Sequence, residues 1–238
     1  MDTELDGQDG SDASLRGLII GEPARCVYSL VGIHRAMARD AHATRQQIIQ
    51  AADALFYGEG IRSASMDAIA VKAGVTKRTL YYHFRSKDDL IAAYLTARDV
   101  PTFAKQAAWL DETKGDLPEQ VLGLFENLAR AMNTPRWKGC GFIRAAAELA
   151  GTPGHPALKI GSAHKKRVEA WLEGRIATTG LSEPALHARQ VMILLDGAAA
   201  QVLIHRDHAY ALAAGQVAAA LVTKNPSRGS TSDIYLSV

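Results

Sequence analysis

Apolar positions recur at helical spacing from Thr44 onward, and the clearest stretch is Ser65–Phe84, SMDAIAVKAGVTKRTLYYHF. Ser65 is an N-cap residue with Asp67 in the first turn, and Ile69, Ala70 and Ala73 form the buried side of a short helix. Gly74 stands where a left-handed C-cap belongs, Val75 anchors the turn, and Thr76 caps a second helix over Lys77–Phe84. Only Leu80 and Phe84 need face inward on that helix, leaving Lys77, Arg78, Thr79, Tyr81, Tyr82 and His83 outward. Two adjacent tyrosines beside two cations mark a surface on which something docks, and a helix of this size fits a DNA major groove.

Upstream, Thr44-Arg45-Gln46-Gln47 has the form of a capping box opening a helix with Ile48, Ile49, Ala52, Leu55 and Phe56 on one face, ended by Gly58 and Gly60. Downstream, Ser86 caps a helix through Leu90, Ile91, Tyr94 and Leu95, which Val100-Pro101 kinks or stops. The remainder also reads as helical. A short helix ends at Trp109–Leu110, others run over 119–132 and 142–150, and further helices run over 157–178, 184–205 and 209–222. The last two are rich in Gly and Ala, which lets helices approach closely and suits a two-fold four-helix interface, or equally plain intrachain packing.

The expected class is therefore all-α. The domains are an extension over 1–42, a three-helix helix-turn-helix domain over 43–90, a helical bundle over 91–224 and a tail over 225–238. The acidic, Gly- and Ser-rich start argues for disorder, and Met37 is an alternative natural start. Alanine abundance and few aromatics favour helices over a β-sandwich. A net charge of +2 over 238 residues does not itself announce nucleic acid, so a local patch must carry that inference. Cys26 and Cys140 make no disulfide framework and suit a reducing cytosol. No apolar run reaches spanning length, so a cytoplasmic protein without membrane attachment is expected.

Residues Thr44–Leu95 resemble the DNA-binding domain of the TetR family of bacterial repressors. The resemblance rests on Ile48, Ala52, Leu55, Phe56 and Gly60, then Ile69-Ala70 with Ala73-Gly74-Val75-Thr76, then Thr79-Leu80-Tyr81, His83-Phe84, Ser86-Lys87 and Leu90. It implies that the third helix enters the major groove of a double-stranded operator. Thr76, Arg78, Thr79 and Tyr81 would then read bases, beside Lys77, while Lys87, Tyr82, His83 and Arg45 would meet phosphates. It also implies a homodimer, a palindromic operator and a ligand-binding second domain, so that a small-molecule inducer releases a repressor. Arg78 departs from the family, which often has a small residue there, so the operator sequence does not transfer by analogy.

For the inducer, Trp109, Phe125, Trp137, Phe142, Trp171 and Met192 are candidate pocket residues, although an ordinary core role is the more common one for each and only about a third are expected to touch a ligand. Cys140, between two glycines, suits either an inert thiol or a redox sensor. His155, His164, His205 and His208 lack zinc-site spacing, and helix-end placement accounts for them better. No metal or cofactor is expected. Nucleophile-elbow, zincin, P-loop and dinucleotide fingerprints are absent, which leaves an enzyme as the weak rival. The other rival is a DNA-binding regulator acting as an activator or without a ligand.

Overall fold

The computed structural model describes residues 23–224, with side chains described from Asp40 onward. Residues 1–22 and 225–238, which hold most of the expected extension and all of the tail, lie outside the described residues, as does the side chain of Met37. The described residues form helices α1 (Pro23–Glu59), α2 (Met66–Lys72), α3 (Lys77–His83), α4 (Lys87–Asp111), α5 (Leu117–Met132), α6 (Gly141–Glu148), α7 (Pro156–Ala177), α8 (Pro184–His205) and α9 (Ala209–Leu221). No strand occurs among them, in line with the all-α expectation. By internal contacts the chain divides into a unit ending at Thr44 and a second running from Arg45. In the first unit the Thr44 hydroxyl donates to the Asp40 carbonyl, 2.9 Å away.

That bond corrects the capping assignment. Thr44 lies inside α1, its hydroxyl turned back on the preceding turn, a bond that competes with the capping role. Nor does Gln47 reach back to a cap. Its Nε2 donates to the Ala73 carbonyl at 2.8 Å, tying α1 to the end of α2.

The helix-turn-helix follows from local chemistry. Ser65 and Thr76 each accept a bond from the backbone N–H three residues on, at 3.1 Å in both cases. Gly74 adopts φ +64°, and the Val75 N–H returns to the Ala70 carbonyl at 3.0 Å, closing the turn. Ile48 and Ala52 of α1, Ile69 of α2, Leu80 of α3 and Leu90 of α4 are fully buried together. Phe142, Ala145 and Leu149, from α6 and its end, belong to this same core.

Pro101 neither stops α4 nor separates a further helix. The helix runs on to Asp111, so Trp109–Leu110 is its last turn. An internal proline costs about 3 kcal/mol in a helix. Packing outweighs that here, because Ile91, Tyr94 and Leu95 anchor one half in the first core while Leu110 anchors the other in a second core.

The second core is built by α5, α7, α8 and α9 around Phe125, Leu172, Val191 and Val202. Asp116 and Glu119 form a reciprocal capping box that starts α5. Gly215 lets α9 approach α5 closely, since a Cβ there would stand 2.6 Å from the Phe125 Cβ. No described helix is long and apolar enough to cross a membrane.

Candidate nucleic-acid interface and cavity

Helix α3 presents a mixed face. Arg78, Tyr81 and Tyr82 are exposed, with Tyr82 at 81%. Their i, i+3, i+4 spacing puts them on one side, and Arg85 continues the cationic edge just past the helix. Thr79 and His83 are half-buried at the flanks, and the His83 ring meets Tyr82 edge-on at 5.2 Å. The Thr76 and Thr79 hydroxyls share a 2.8 Å hydrogen bond, which fixes both at the helix start.

The cations around α3 differ in freedom. Lys77 Nζ sits 2.8 Å from Asp67 Oδ1 on α2, and that carboxylate holds its ammonium above the ordinary lysine range. Arg78 has no acidic partner among the described residues. Arg45 stacks over the Phe84 ring at 4.7 Å, which places its guanidinium beside the end of α3. Lys87 is half-buried with Nζ donating to the Arg62 carbonyl at 3.3 Å, and burial pushes its ammonium down. The α3 face carries aromatic, hydroxyl and cationic groups together, the set that meets base edges and phosphates. Sequence reasoning missed Arg85, although a cation immediately after the helix was the available signal.

A cavity of about 690 Å³ lies between α1, α4, α5, α6, α7 and α8. Of the expected lining residues, Trp109, Trp137, Phe142 and Met192 face it. Phe125 and Trp171 do not. Phe125 is fully buried beneath Gly215, and Trp171 packs edge-on against Phe103 at 5.7 Å. Cys140 also lines the cavity, half-buried at the start of α6.

Much of the wall is polar. Arg98 pairs with Asp53 and lies over the rings of Tyr57 and Tyr94, at 4.6 and 5.6 Å. Burial pushes the Tyr94 hydroxyl up to about 12. Lys165 pairs with Asp196, and Lys105 lies over Trp109 at 4.8 Å. His164 stacks on Phe142 at 3.9 Å with Nδ1 2.6 Å from Asp99 Oδ1, while Arg167 takes the other Asp99 oxygen. Burial pushes the His164 ring down to about 4, with neighbouring Lys165 acting the same way. Asp196 acts the other way but is outweighed, and with the ring uncharged it is the Nδ1–H tautomer that suits the Asp99 carboxylate, which Arg167 also holds.

The histidines are not all at helix ends. His205 closes α8, stacked on Tyr210 at 4.9 Å, but His164 lies within α7 and His155 precedes it. His155 Nδ1 accepts from the Ala157 N–H at 3.1 Å, a capping role at a helix start. Among the described residues no three His, Cys, Asp or Glu are gathered within reach of one metal ion.

One wall of the cavity is fastened to the helix-turn-helix. The Tyr57 hydroxyl, on α1, accepts from the Lys138 N–H at 2.9 Å and donates to the Gly139 carbonyl at 3.1 Å. Arg144 on α6 donates to the Tyr57 carbonyl at 2.7 Å. At the other end of α6, the Arg62 N–H donates to Glu148 Oε2 and its Nε to the Glu148 carbonyl, both at 3.0 Å.

Residues 48–94 match the family described as bacterial regulatory proteins, tetR family. The chain is 43% identical over 67 residues to the HTH-type transcriptional regulator SrpR of Pseudomonas putida, covering 28% of this chain and 32% of that protein. Relatives at that identity are matched over 32–50% of their own length. A longer match, 23% identical over 167 residues, joins 69% of the chain to 86% of the HTH-type transcriptional regulator YjdC of Escherichia coli. Among solved structures, a TetR-family transcriptional regulator from Streptomyces coelicolor superposes with a TM-score of 0.65 at 29% identity. That match covers 75% of this chain and 93% of the other.

Proposed function

The chain belongs to the tetR family of bacterial regulatory proteins, and from that membership we propose that it is a homodimeric, effector-released transcriptional repressor. The observation that carries this reading is the exposed face of α3, where Arg78, Tyr81 and Tyr82 stand clear of a well-packed helix-turn-helix. Thr76, Arg78, Thr79 and Tyr81 read bases. Tyr82, His83, Lys87 and Arg45 settle the phosphate backbone, and Lys77 serves from its pair with Asp67.

The dimer forms through α8 and α9. Leu186, Ile193 and Ile204 lie at whole-turn spacings along α8, with Ile193 64% and Ile204 68% exposed, and Tyr210 and Val217 repeat the stripe on α9. Two such pairs of helices make an isologous four-helix contact. It sets two copies of α3 at the separation of successive major grooves on a palindrome.

The effector occupies the cavity lined by Trp109, Trp137, Phe142 and Met192. It releases DNA by binding better to a conformer whose α3 helices no longer fit that separation. The contacts of Tyr57, Arg144 and Glu148 support this coupling, since they join the 139–148 segment at the cavity wall to α1 and to Arg62 just after it.

Selection of bound sequences from a random duplex pool, with sizing of the complex, tests the reading. A palindromic consensus bound by one or two dimers is the expected result. Absence of enrichment over competitor DNA at low and moderate salt overturns it.

A further inference from the structure

The charges around the cavity are matched except at one place. Asp53 is taken by Arg98, Asp196 by Lys165 and Asp99, behind His164, by Arg167. Lys105 lines the cavity with no carboxylate in ion-pair reach among the described residues, its ammonium lying only on the Trp109 indole. Beside it Gln106 also lines the cavity, and its Oε1 is buried without a hydrogen-bond partner. An amide can turn end for end, so this position offers an N–H as readily as a carbonyl.

These facts discriminate between ligand charges. Among the described residues a cationic ligand finds no free carboxylate on the wall and must break an existing pair. A neutral ligand that covers Lys105 takes the ammonium out of water without replacing its partners, which is unfavourable. An anion meets the unmatched lysine and a turned Gln106 N–H at once, as charge-assisted hydrogen bonds. Trp109, Trp137, Phe142 and Met192 supply flat and polarizable apolar surface around that point. The volume of about 690 Å³ is that of a drug-sized ligand.

We propose that the effector is an aromatic carboxylate, its charge received by Lys105 and Gln106 and its ring by the tryptophans that line the cavity. This rests on the reading of the cavity as the effector site. Lys105 is exposed at the cavity wall and makes no ion pair among the described residues, so replacing it leaves the fold intact.

The test uses the full chain and three probes of one shape: 2-naphthoate, 2-naphthylmethanol and 2-naphthylmethylammonium. Binding is read as quenching of tryptophan fluorescence, two of the three tryptophans lining the cavity. The carboxylate is expected to bind about tenfold tighter than the alcohol. Lys105→Gln should erase that preference and Lys105→Arg should keep it. Equal binding of the three probes, preference for the ammonium, or a carboxylate preference that survives Lys105→Gln overturns the charge assignment while leaving the cavity as a binding site. Failure of all three probes to quench at millimolar concentration overturns the effector-site reading itself, and this inference with it.

Discussion

Lys77 on α3 and Asp67 on α2 face each other across the helix-turn-helix, with Nζ 2.8 Å from one carboxylate oxygen and 3.1 Å from the other. The first cation of the proposed recognition helix is thus neutralised by its own domain. On approach to DNA the phosphates must compete with Asp67 for it, and Asp67 itself repels them.

Asp67→Asn should therefore tighten DNA binding on every sequence alike. The slope of log affinity against log salt should steepen by about one, the signature of one more phosphate neutralised. Stability should change little, because exposed ion pairs contribute about 0–1 kcal/mol. Binding isotherms at several salt concentrations check this, and an unchanged slope would show that Lys77 never reaches a phosphate.

Arg78→Ala should relax base preference at one defined operator position by about 1–3 kcal/mol, because the guanidinium is exposed and without an acidic partner among the described residues. Competition between operator variants reads the effect. An equal loss on all sequences would assign Arg78 to the backbone.

His164 makes stability pH-dependent. Its folded value of about 4 lies below the ordinary 6.5, so between those limits the unfolded chain binds a proton that the folded chain refuses. Stability is complete above pH 6.5, declines as pH falls toward 4, and by this group declines no further below that. At about 1.4 kcal/mol for each pH unit of that window, the total is roughly 3–4 kcal/mol. Urea unfolding across that window should show the slope, and His164→Gln, which can still donate to Asp99, should flatten it. A His164→Gln profile parallel to the parent's would place the pH dependence elsewhere.

Gly215→Ala should destabilise by about 1–3 kcal/mol, since its Cβ would stand 2.6 Å from that of Phe125 and α9 would have to move off α5. Because α9 carries half of the proposed dimer stripe, sedimentation of the variant should also show weaker self-association. Unchanged unfolding would mean that the two helices part without cost.

The helix-turn-helix was legible in the sequence because its determinants are local. Ser65, Thr76 and Ser86 cap by bonds to N–H groups three residues on, and Gly74 marks the one left-handed turn between them. Thr44 misled for the same reason in reverse, as its hydroxyl serves either a cap or the preceding turn, and only the surrounding helix decides. Pro101 misled because tertiary anchoring on both sides of it lies outside any local pattern. Trp109 and Trp137 facing a void, and Phe125 and Trp171 facing neighbours, are indistinguishable by hydrophobicity. Arg98, Lys105 and Gln106 carry no such signal in the sequence, since nothing in their spacing announces that the cavity lies beneath.

Pro101 also turns α4 into a lever with a built-in soft point. The ring removes one rung of the helical ladder where the rod passes from the first core to the second. Lys87, at the tip, lies roughly 21 Å along the axis from that point at 1.5 Å per residue, so a flex of only about 5° sweeps it roughly 2 Å. Doubled across the two-fold axis of the proposed dimer, that travel rivals a base-pair step, enough to throw its two α3 helices out of phase without unfolding any helix.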